Sequence, residues 1–435
     1  MKKFVAVILS LLLVGSLTAC SGNEQQGSAQ STSGETNSQV SEGEEEVTLT
    51  LFHTGDADGL ALMDNMADFE SKNPGVTVED VVTPFAEYHQ KLMTVAASGS
   101  DEFDVVFVES DYVAQMGEAG VLEPLNAYVE NSETMSWDDY IESVVQRNCI
   151  DGTYYAMPQV ADVQTTIYNR VVLDALGIDT PPKTQEKFLE YCKQAQAAGY
   201  EPLATRYDSN IFPTQYMGLF LQSNGGSFVE KSGDKWVSTI SSEIGKSWLE
   251  YCREFCSTIN GDNLITMDSS KMISMMEQNK AGCTIAGSWF WDSVNEETAA
   301  NLVAAPFPEG ENGTIALMSG WNLGIFSNSS HKDLAFKMLE WKNDPEIAGP
   351  TTAGLSGRKD AEEYFTDEQK EIMPLFQELM GVGVGMTSPE FEYRSELSTA
   401  LYPVFQEVAY NDNLSVDEGI QKLDEAIQGV LNEKS

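Results

Sequence analysis

The amino-acid sequence predicts an α/β fold of two lobes, each with a doubly wound mixed sheet. Two observations carry this prediction. Strand and helix patterns alternate along the chain from residue 47, and the alternation starts again after a Tyr-Tyr-Ala-Met-Pro segment at residues 154–158. Repeated strand–helix–strand units form mostly parallel sheets with helices on both faces. The restart therefore indicates a second sheet with a core of its own.

The first lobe begins with three strand patterns separated by helical ones. Residues 47–52 and 76–82 have strand patterns, and residues 104–108 form an apolar run typical of a sheet buried on both faces. Residues 60–72 and 86–98 have helical apolar spacing. The later parts of the chain continue in the same way, with strands predicted over residues 163–168, 301–306 and 320–326 and helices over residues 184–198, 212–222, 241–259, 332–342, 397–408 and 416–431.

The first residues predict a secreted, lipid-anchored protein. Lys2 and Lys3 precede an apolar run over residues 4–13, and a Leu-Thr-Ala-Cys box ends at Cys20. The run is shorter than the roughly 20 apolar residues of a membrane-spanning helix, and small residues before the cysteine suit a processing peptidase. We therefore expect a lipoprotein signal peptide over residues 1–19 and lipidation of Cys20. An ordinary signal peptide is the alternative.

Residues 20–46 predict a tether between the lipidated cysteine and a folded body. They are rich in Ser, Gly, Gln, Asn and Glu and contain almost no large apolar residue. Such a segment cannot bury enough surface to fold, so we expect a flexible acidic linker at the extracellular face of a bacterial membrane. A low-complexity interaction segment is the alternative.

Charge and composition narrow the possible partners. The 435 residues carry a formal net charge of −43, and a charge of this sign repels nucleic acid and anionic lipid. The aromatic share of 10% indicates a well-packed globular body. We expect neutral or cationic partners and no nucleic acid.

The cysteines do not predict a disulfide framework, a metal site or a cofactor site. Beyond Cys20 their number is odd and their spacing is not that of a framework, at positions 149, 192, 252, 256 and 283. Cys252 and Cys256 would share one helix face, but the histidines that a zinc site needs are absent nearby. We expect mostly free, buried thiols.

Five dispersed stretches resemble the bacterial extracellular solute-binding proteins of ABC importers, a family that includes the maltodextrin receptors. They follow one another in order and span nearly the whole chain after the leader. They lie around Phe69 to Val78, from Asp104 to Leu125, from Tyr154 to Arg170, from Lys280 to Trp289, and from Ser319 to Ile325.

The resemblance implies the type II fold of periplasmic binding proteins, with hinge strands and a ligand cleft between the lobes. It places the lobe crossings near Pro158, near Gly320 and between residues 349 and 360. The expected N-terminal lobe comprises residues 47–158 and 320–355, and the expected C-terminal lobe comprises residues 159–319 and 356–435. The lobes would close on the ligand by hinge bending, and a membrane permease would receive it. Receptors of this family are usually monomeric, so the resemblance also implies a monomer.

Polar residues after the strands are binding candidates, because ligands in open α/β sheets lie beyond the carboxyl ends of the strands. His53 and Asp56 follow the first strand, and Glu109 and Asp111 follow the third. Ionised carboxylates accept strong hydrogen bonds and so suit sugar hydroxyls. Each side chain could instead cap the next helix. Glu87 is a further candidate.

The resemblance supports several of these choices and adds others. Asp56 aligns with a sugar-contacting aspartate of the maltodextrin receptor, and Asp162 lies where that receptor has a sugar-contacting carboxylate. Arg358 lies where many relatives present an arginine, although an ion pair is its alternative role. The family usually has proline near residues 355–357, and its absence here weakens the alignment. Asn210 is a further candidate.

Three tryptophans are expected to supply flat surfaces for sugar rings. Trp289 follows a Gly-Ser pair at a strand end and matches the stacking tryptophan of the family that the sequence resembles. Trp291 lies beside it, and Trp321 begins the strand that returns to the first lobe. Core packing is the alternative for each of the three.

The sequence therefore predicts a sugar receptor and not an enzyme. It has no nucleophile elbow, zinc-protease sequence or phosphate loop. Paired carboxylates with tryptophans also occur in glycoside hydrolases, which makes a glycoside-active enzyme a minor alternative. A receptor for a polyamine or another small cation is the main alternative, because carboxylates and tryptophans also bind amines.

Overall fold

The structure is a computed structural model that describes residues 46–433 except 56, 208–210, 262, 264–265, 352–353, 385–390, 392 and 412. The predicted signal peptide, Cys20 and nearly all of the tether lie outside the described residues. Within the described ranges, no helix combines the length and the apolar character that crossing a membrane requires.

The first part of the described chain alternates strands with short helices. Its elements are β1 (Val47–Thr54), α1 (Ala57–Leu60), α2 (Met66–Lys72), β2 (Val76–Thr83), α3 (Phe85–Ala97), β3 (Val105–Glu109), α4 (Val113–Glu118), α5 (Asn126–Glu130), α6 (Glu142–Val145), β4 (Cys149–Ile150) and β5 (Thr153–Tyr154). Short 3₁₀ turns lie between some of them, and two of these precede α4 and β4, at Ser110–Tyr112 and Gln146–Asn148.

A long strand then leads into the second part. The elements are β6 (Met157–Asn169), α7 (Arg170–Ala175), α8 (Gln185–Ala197), β7 (Glu201–Leu203), α9 (Met217–Gln222), β8 (Val229–Ser232), β9 (Lys235–Ser238), α10 (Glu243–Cys256), α11 (Ser269–Glu277), β10 (Ala281–Ala286), α12 (Phe290–Ser293), α13 (Glu296–Ala299) and β11 (Leu302–Ala305). A π-helical turn, Phe212–Tyr216, precedes α9.

The chain finally returns to the first part and ends in the second. These elements are β12 (Ala316–Ile325), α14 (Lys332–Lys342), α15 (Pro345–Thr351), α16 (Asp367–Met380), β13 (Gly383–Val384), α17 (Arg394–Tyr410) and α18 (Val416–Glu433).

One mixed sheet connects both parts in the order β2-β1-β3-β12-β6-β10-β7. Strand β1 is parallel to β2 and β3, whereas β12 is antiparallel to β3 and to β6. Strand β6 pairs with β12 over residues 157–164 and with β10 and β11 over residues 165–169. The changeover from one half of the sheet to the other therefore lies within β6.

The first half of the sheet is covered on both faces, and its sequence shows why. Successive side chains of a strand point to opposite faces. Val105 and Phe107 of β3 belong to one core cluster, whereas Val106 and Val108 belong to another. A continuous apolar run is therefore the pattern this strand requires. We call the region around these two cores the N-terminal lobe.

The second half of the sheet has a separate and larger core. Ile167 of β6, Phe188 of α8, Phe255 of α10 and Phe405 of α17 all belong to it. We call the region around this core the C-terminal lobe. A smaller cluster joins residues of β6, β12 and α16 near the strands that connect the lobes. The exact residues at which the two lobes were expected to begin and end remain predictions.

The structure corrects one predicted helix. The apolar spacing over residues 60–72 predicts a single helix, but the chain forms α1, a 3₁₀ turn and α2 there. Asn65 has a φ of 64°, in the left-handed region, which interrupts helical geometry. Asparagine tolerates this conformation better than most residues, so its identity was the available signal.

The described cysteines are unpaired. Cys192, Cys252, Cys256 and Cys283 are buried, and Cys149 is half-buried. Burial raises the pKa of the Cys256 thiol to about 12, so this group stays protonated near neutral pH.

Candidate binding site

Several predicted residues meet where β3, β12 and β6 lie side by side. The sheet register places Trp321 of β12 between Glu109 of β3 and Val160 of β6. Asp162 lies two residues further along β6, opposite Ser319. Neighbouring strands are only about 5 Å apart, so the register alone brings Glu109, Trp321 and Asp162 into one region at the junction of the lobes.

Glu109 presents a partly exposed carboxylate at the end of β3. Its side chain is 17% exposed, and its Oε2 lies 3.7 Å from Nε2 of His89. The His89 ring stacks on Tyr112, with the ring centroids 3.7 Å apart. Glu109 therefore has an oxygen near solvent that can accept hydrogen bonds from a polar ligand.

Asp111 is more enclosed than Glu109 and is bonded to two arginines. Its Oδ1 accepts hydrogen bonds from Nη2 of Arg147 and, at 2.9 Å, from Nη1 of Arg394. Nη1 of Arg394 also donates to the Asp111 carbonyl oxygen at 2.6 Å. The sequence predicted a ligand contact for Asp111. In the structure its carboxylate takes part in a buried charge cluster.

Asp162 connects the crossing strand β6 to the turn that carries Trp289. Its Oδ1 accepts hydrogen bonds from the backbone N–H of Ser288 at 3.0 Å, from the Ser288 hydroxyl at 3.1 Å and from the Val163 N–H at 2.9 Å. Burial raises the pKa of this carboxyl to about 7, although the Ser288 bonds oppose the shift. Asp162 therefore holds the Ser288 backbone, and thereby the Trp289 turn, against β6.

Trp289 and Trp291 are both half-buried beside this turn. Trp289 precedes α12 and packs edge-on against Phe290, with centroids 5.8 Å apart. Trp291 contacts the C-terminal lobe core and also the cluster near the connecting strands. Both rings are therefore partly exposed and are held in place by contacts with core residues. A ring that stacks on a ligand needs both properties.

Trp321 is less accessible than these two tryptophans. It is 9% exposed, and its ring stacks on Phe107 with centroids 4.6 Å apart. Its edge faces Tyr88 at 6.4 Å. This packing favours the core role for most of the ring. A ligand contact remains a prediction for its small exposed part.

Arg358 forms an ion pair, the alternative that the sequence left open. Its Nε and Nη2 donate to Asp360 at 2.9 and 2.8 Å, and Nη2 lies 3.5 Å from Asp139. The guanidinium also lies over the Tyr140 ring at 5.5 Å. With its side chain 4% exposed, Arg358 is engaged by protein groups, and its ligand contact stays an untested prediction.

The remaining predicted binding residues are His53, Glu87, Asp56 and Asn210. His53 is fully buried, with Nδ1 2.7 Å from the Thr54 carbonyl oxygen and Nε2 3.3 Å from Asp80. Glu87 is exposed in the first turn of α3. Asp56 and Asn210 lie outside the described residues.

Sequence reasoning missed Arg147, Arg394 and Ser288. The two arginines approach Asp111 from positions 36 and 283 residues away, and no local pattern links such distant positions. Ser288 lies between Gly287 and Trp289, in a stretch that resembles the family, and this position was the available signal for its role. Only the fold reveals which carboxylate each of these groups contacts.

The site can bind a polar, uncharged molecule. Half-buried aromatic rings offer apolar faces, and Glu109 offers an acceptor near solvent, whereas the charges of Asp111 are already paired. Among the described residues, no group of three or more His, Cys, Asp or Glu side chains is placed to hold a metal ion.

The profile of the family described as bacterial extracellular solute-binding protein matches residues 54–348, more than half of the chain. A Brucella abortus protein described as a binding protein is 24% identical over 306 residues, covering 68% of this chain and 71% of the relative. The maltotriose-binding protein of Pyrococcus abyssi is 24% identical over 310 residues, covering 69% of this chain and 63% of the relative.

A solved structure shares the fold. The GacH receptor of Streptomyces glaucescens, solved unliganded and in complex with acarbose, superposes with a TM-score of 0.76 at 20% identity, covering 89% of this chain and 98% of that receptor. The two-lobed type II fold expected from the sequence is thereby confirmed.

Proposed function

Because the chain belongs to the bacterial extracellular solute-binding proteins, we propose that it is the lipid-anchored receptor of an ABC importer and that its ligand is a sugar, an oligosaccharide in the first place. Cys20 would hold it at the outer face of the membrane, where it would act as a monomer and deliver the sugar to the permease. The relatives are binding proteins, which agrees with a receptor that performs no chemistry.

The observation that carries the sugar proposal is that supported tryptophans and a partly exposed carboxylate both lie at the junction of the lobes. Trp289 and Trp291 are half-buried next to the turn that Asp162 of β6 holds, and Glu109 ends β3, which is separated from β6 by β12. The C–H groups of a pyranose ring pack on an aromatic face, while its hydroxyls donate to carboxylate oxygens. The relative named maltotriose-binding protein and the acarbose complex of the GacH receptor support the same class of ligand.

Closure would come from the strands that connect the lobes. Strand β6 pairs with β12 in one half of the sheet and with β10 and β11 in the other. A few residues of such a connection can absorb the dihedral changes of hinge bending. Ligand bound between the lobes would favour the closed state in proportion to its extra affinity for that state.

The polyamine alternative is weakened by the pairing of the acidic groups. Asp111 is bonded to two arginines, and Asp162 is buried with a pKa raised to about 7. A dication would need ionised carboxylates that are not already neutralised. Of Glu109, Asp111 and Asp162, Glu109 has the most exposed carboxylate, and one carboxylate is a poor match for two ammonium groups.

A thermal-shift screen of the full chain tests the proposal. The panel should include maltotriose and other oligosaccharides, monosaccharides, polyols, polyamines and amino acids. A ligand at one hundred times its dissociation constant stabilises the folded state by about 2.7 kcal/mol, which gives a clear rise in melting temperature. A saturable rise with a sugar is the expected result. A rise with polyamines and none with any sugar or polyol would replace the sugar by a cation.

A further inference from the structure

The start of helix α17 contacts the segment that follows β3. Arg394 donates two hydrogen bonds to Asp111, one to the carboxylate at 2.9 Å and one to the carbonyl oxygen at 2.6 Å. The side chain of the next residue, Ser395, lies near the Tyr112 hydroxyl. Helix α17 thus bonds the segment after β3 through its first residue.

These contacts join different lobes. Helix α17 packs through Leu397, Leu401 and Phe405 into the C-terminal lobe core. Asp111 lies in the 3₁₀ turn between β3 and α4, and Val113 and Met116 of α4 belong to an N-terminal lobe core. Since the two cores are separate, the hydrogen bonds of Arg394 connect the lobes directly.

The connection is buried and charged. The side chains of Arg394 and Asp111 are 4% and 7% exposed, so solvent and salt screen their attraction only weakly. Burial lowers the pKa of the Arg394 guanidinium, and the Asp111 carboxylate opposes that shift. Separating the lobes at this point would leave a buried arginine without its carboxylate, which is costly until water reaches it.

Arg147 holds the same carboxylate from the other side. Its Nη2 donates to the Oδ1 of Asp111 that also accepts from Arg394. Arg147 lies in the 3₁₀ turn Gln146–Asn148, whose Asn148 donates to Asn322 of β12. Arg147 therefore belongs to the N-terminal lobe. It fixes Asp111 in place without crossing to the other lobe.

We propose that Arg394 is an affinity-determining residue of this receptor, because its ion pair with Asp111 latches the C-terminal lobe to the N-terminal lobe beside the binding site. The residue acts through Asp111 and the lobe arrangement, so it is a positioning residue. The part of this inference that concerns affinity rests on the proposed function. The latch itself does not.

Hydrogen exchange of the full chain without ligand tests the latch directly. Exchange rates of protected amides report local opening. Arg394→Gln removes the charge and should raise exchange by at least about tenfold both in residues 110–118 and in the first turns of α17. Arg394→Lys keeps the charge without the guanidinium fork and should give an intermediate increase.

Arg147→Gln is the matched control, because it removes the partner of Asp111 that does not cross between lobes. It should raise exchange around residues 110–118 and 146–148 and leave α17 unchanged. An unchanged rate at residues 110–118 in Arg394→Gln would overturn the latch. Equal exchange patterns in Arg147→Gln and Arg394→Gln would also overturn it. The increase in exchange would then come from the loss of any positive charge near Asp111 and not from the loss of a connection between the lobes.

Titration with maltotriose tests the affinity part. If the latch favours closure, Arg394→Gln should bind maltotriose at least about tenfold more weakly than the wild type does. Equal affinities would contradict the affinity role. An absence of maltotriose binding by either protein would count against this ligand and the affinity role for it, while the exchange result would still decide the latch.

Discussion

Replacing Gly287 by alanine should destabilise the fold, because the added methyl group would overlap the Asp162 carboxylate. A Cβ at position 287 would lie 1.6 Å from Oδ2 and 2.5 Å from Cγ of Asp162. Both distances are far below van der Waals contact, so the carboxylate would have to rotate away. That rotation would break the bonds that Oδ1 accepts from Ser288 and Val163.

The expected loss can be worked from two contributions. Overpacking of a closely packed site costs about 1–3 kcal/mol, and one lost hydrogen bond to a charged group costs about 1.5–3 kcal/mol. We therefore expect the free energy of unfolding to fall by about 2.5–6 kcal/mol in Gly287→Ala. Denaturation followed by circular dichroism measures this loss.

Two further variants decide whether Asp162 is the cause. Gly287→Ala combined with Asp162→Ala should lose less stability than the sum of the two single variants, since removing the carboxylate removes the overlap. Gly429→Ala is the control, because a Cβ on this exposed α18 residue meets nothing within 4 Å, and it should stabilise by about 0.5–1 kcal/mol. Full stability in Gly287→Ala, or strictly additive losses in the double variant, would refute the reasoning.

Three more predictions follow from the site and the leader. Trp289→Ala should weaken binding of the best sugar from the thermal-shift screen by about 2 kcal/mol or more while leaving the melting temperature of the empty protein nearly intact; equal loss of both would mean that Trp289 is a core residue. The Asp162 carboxyl, with a pKa raised from 3.8 to about 7 by burial, holds its proton more tightly in the folded state, so its ionisation costs stability as the pH rises from about 4 to 7. Asp162→Asn removes this cost. The melting temperature of the variant, relative to that of the wild type, should therefore rise as the pH goes from about 4 to 7. A constant difference between the two melting temperatures would show that Asp162 does not titrate in this range. Cys20→Ser should abolish incorporation of labelled palmitate and release the protein from the membrane fraction, whereas retained label would place the lipid elsewhere.

Much of the fold could be predicted because strand and helix periodicities are local. The continuous apolar run before Glu109 predicted β3, and the amphipathic pattern over residues 332–342 predicted α14 with the bounds observed. Strand β6 was predicted only in part, over residues 163–168. Its 13 residues are all buried, yet Gln159, Asp162 and Gln164 interrupt the apolar pattern from which its full length could have been predicted.

The site could be predicted less well, because its contacts join distant parts of the chain. Rules about strand ends drew attention to Glu109 and Asp111 but could not tell which one remains accessible. That difference depends on Arg394, 283 residues after Asp111. Similarly, the position of Arg358 was noted from the sequence, but its pairing with Asp360 is visible only in the structure.

The most direct test of the central claim is calorimetric titration of the full chain with the sugar that raises its melting temperature most, at low and at high salt. We expect saturable binding of one sugar per chain with nearly the same dissociation constant at both salt concentrations, because a neutral ligand forms no screened ion pairs. No binding heat with any sugar or polyol, together with polyamine binding that weakens steeply with salt, would contradict the account.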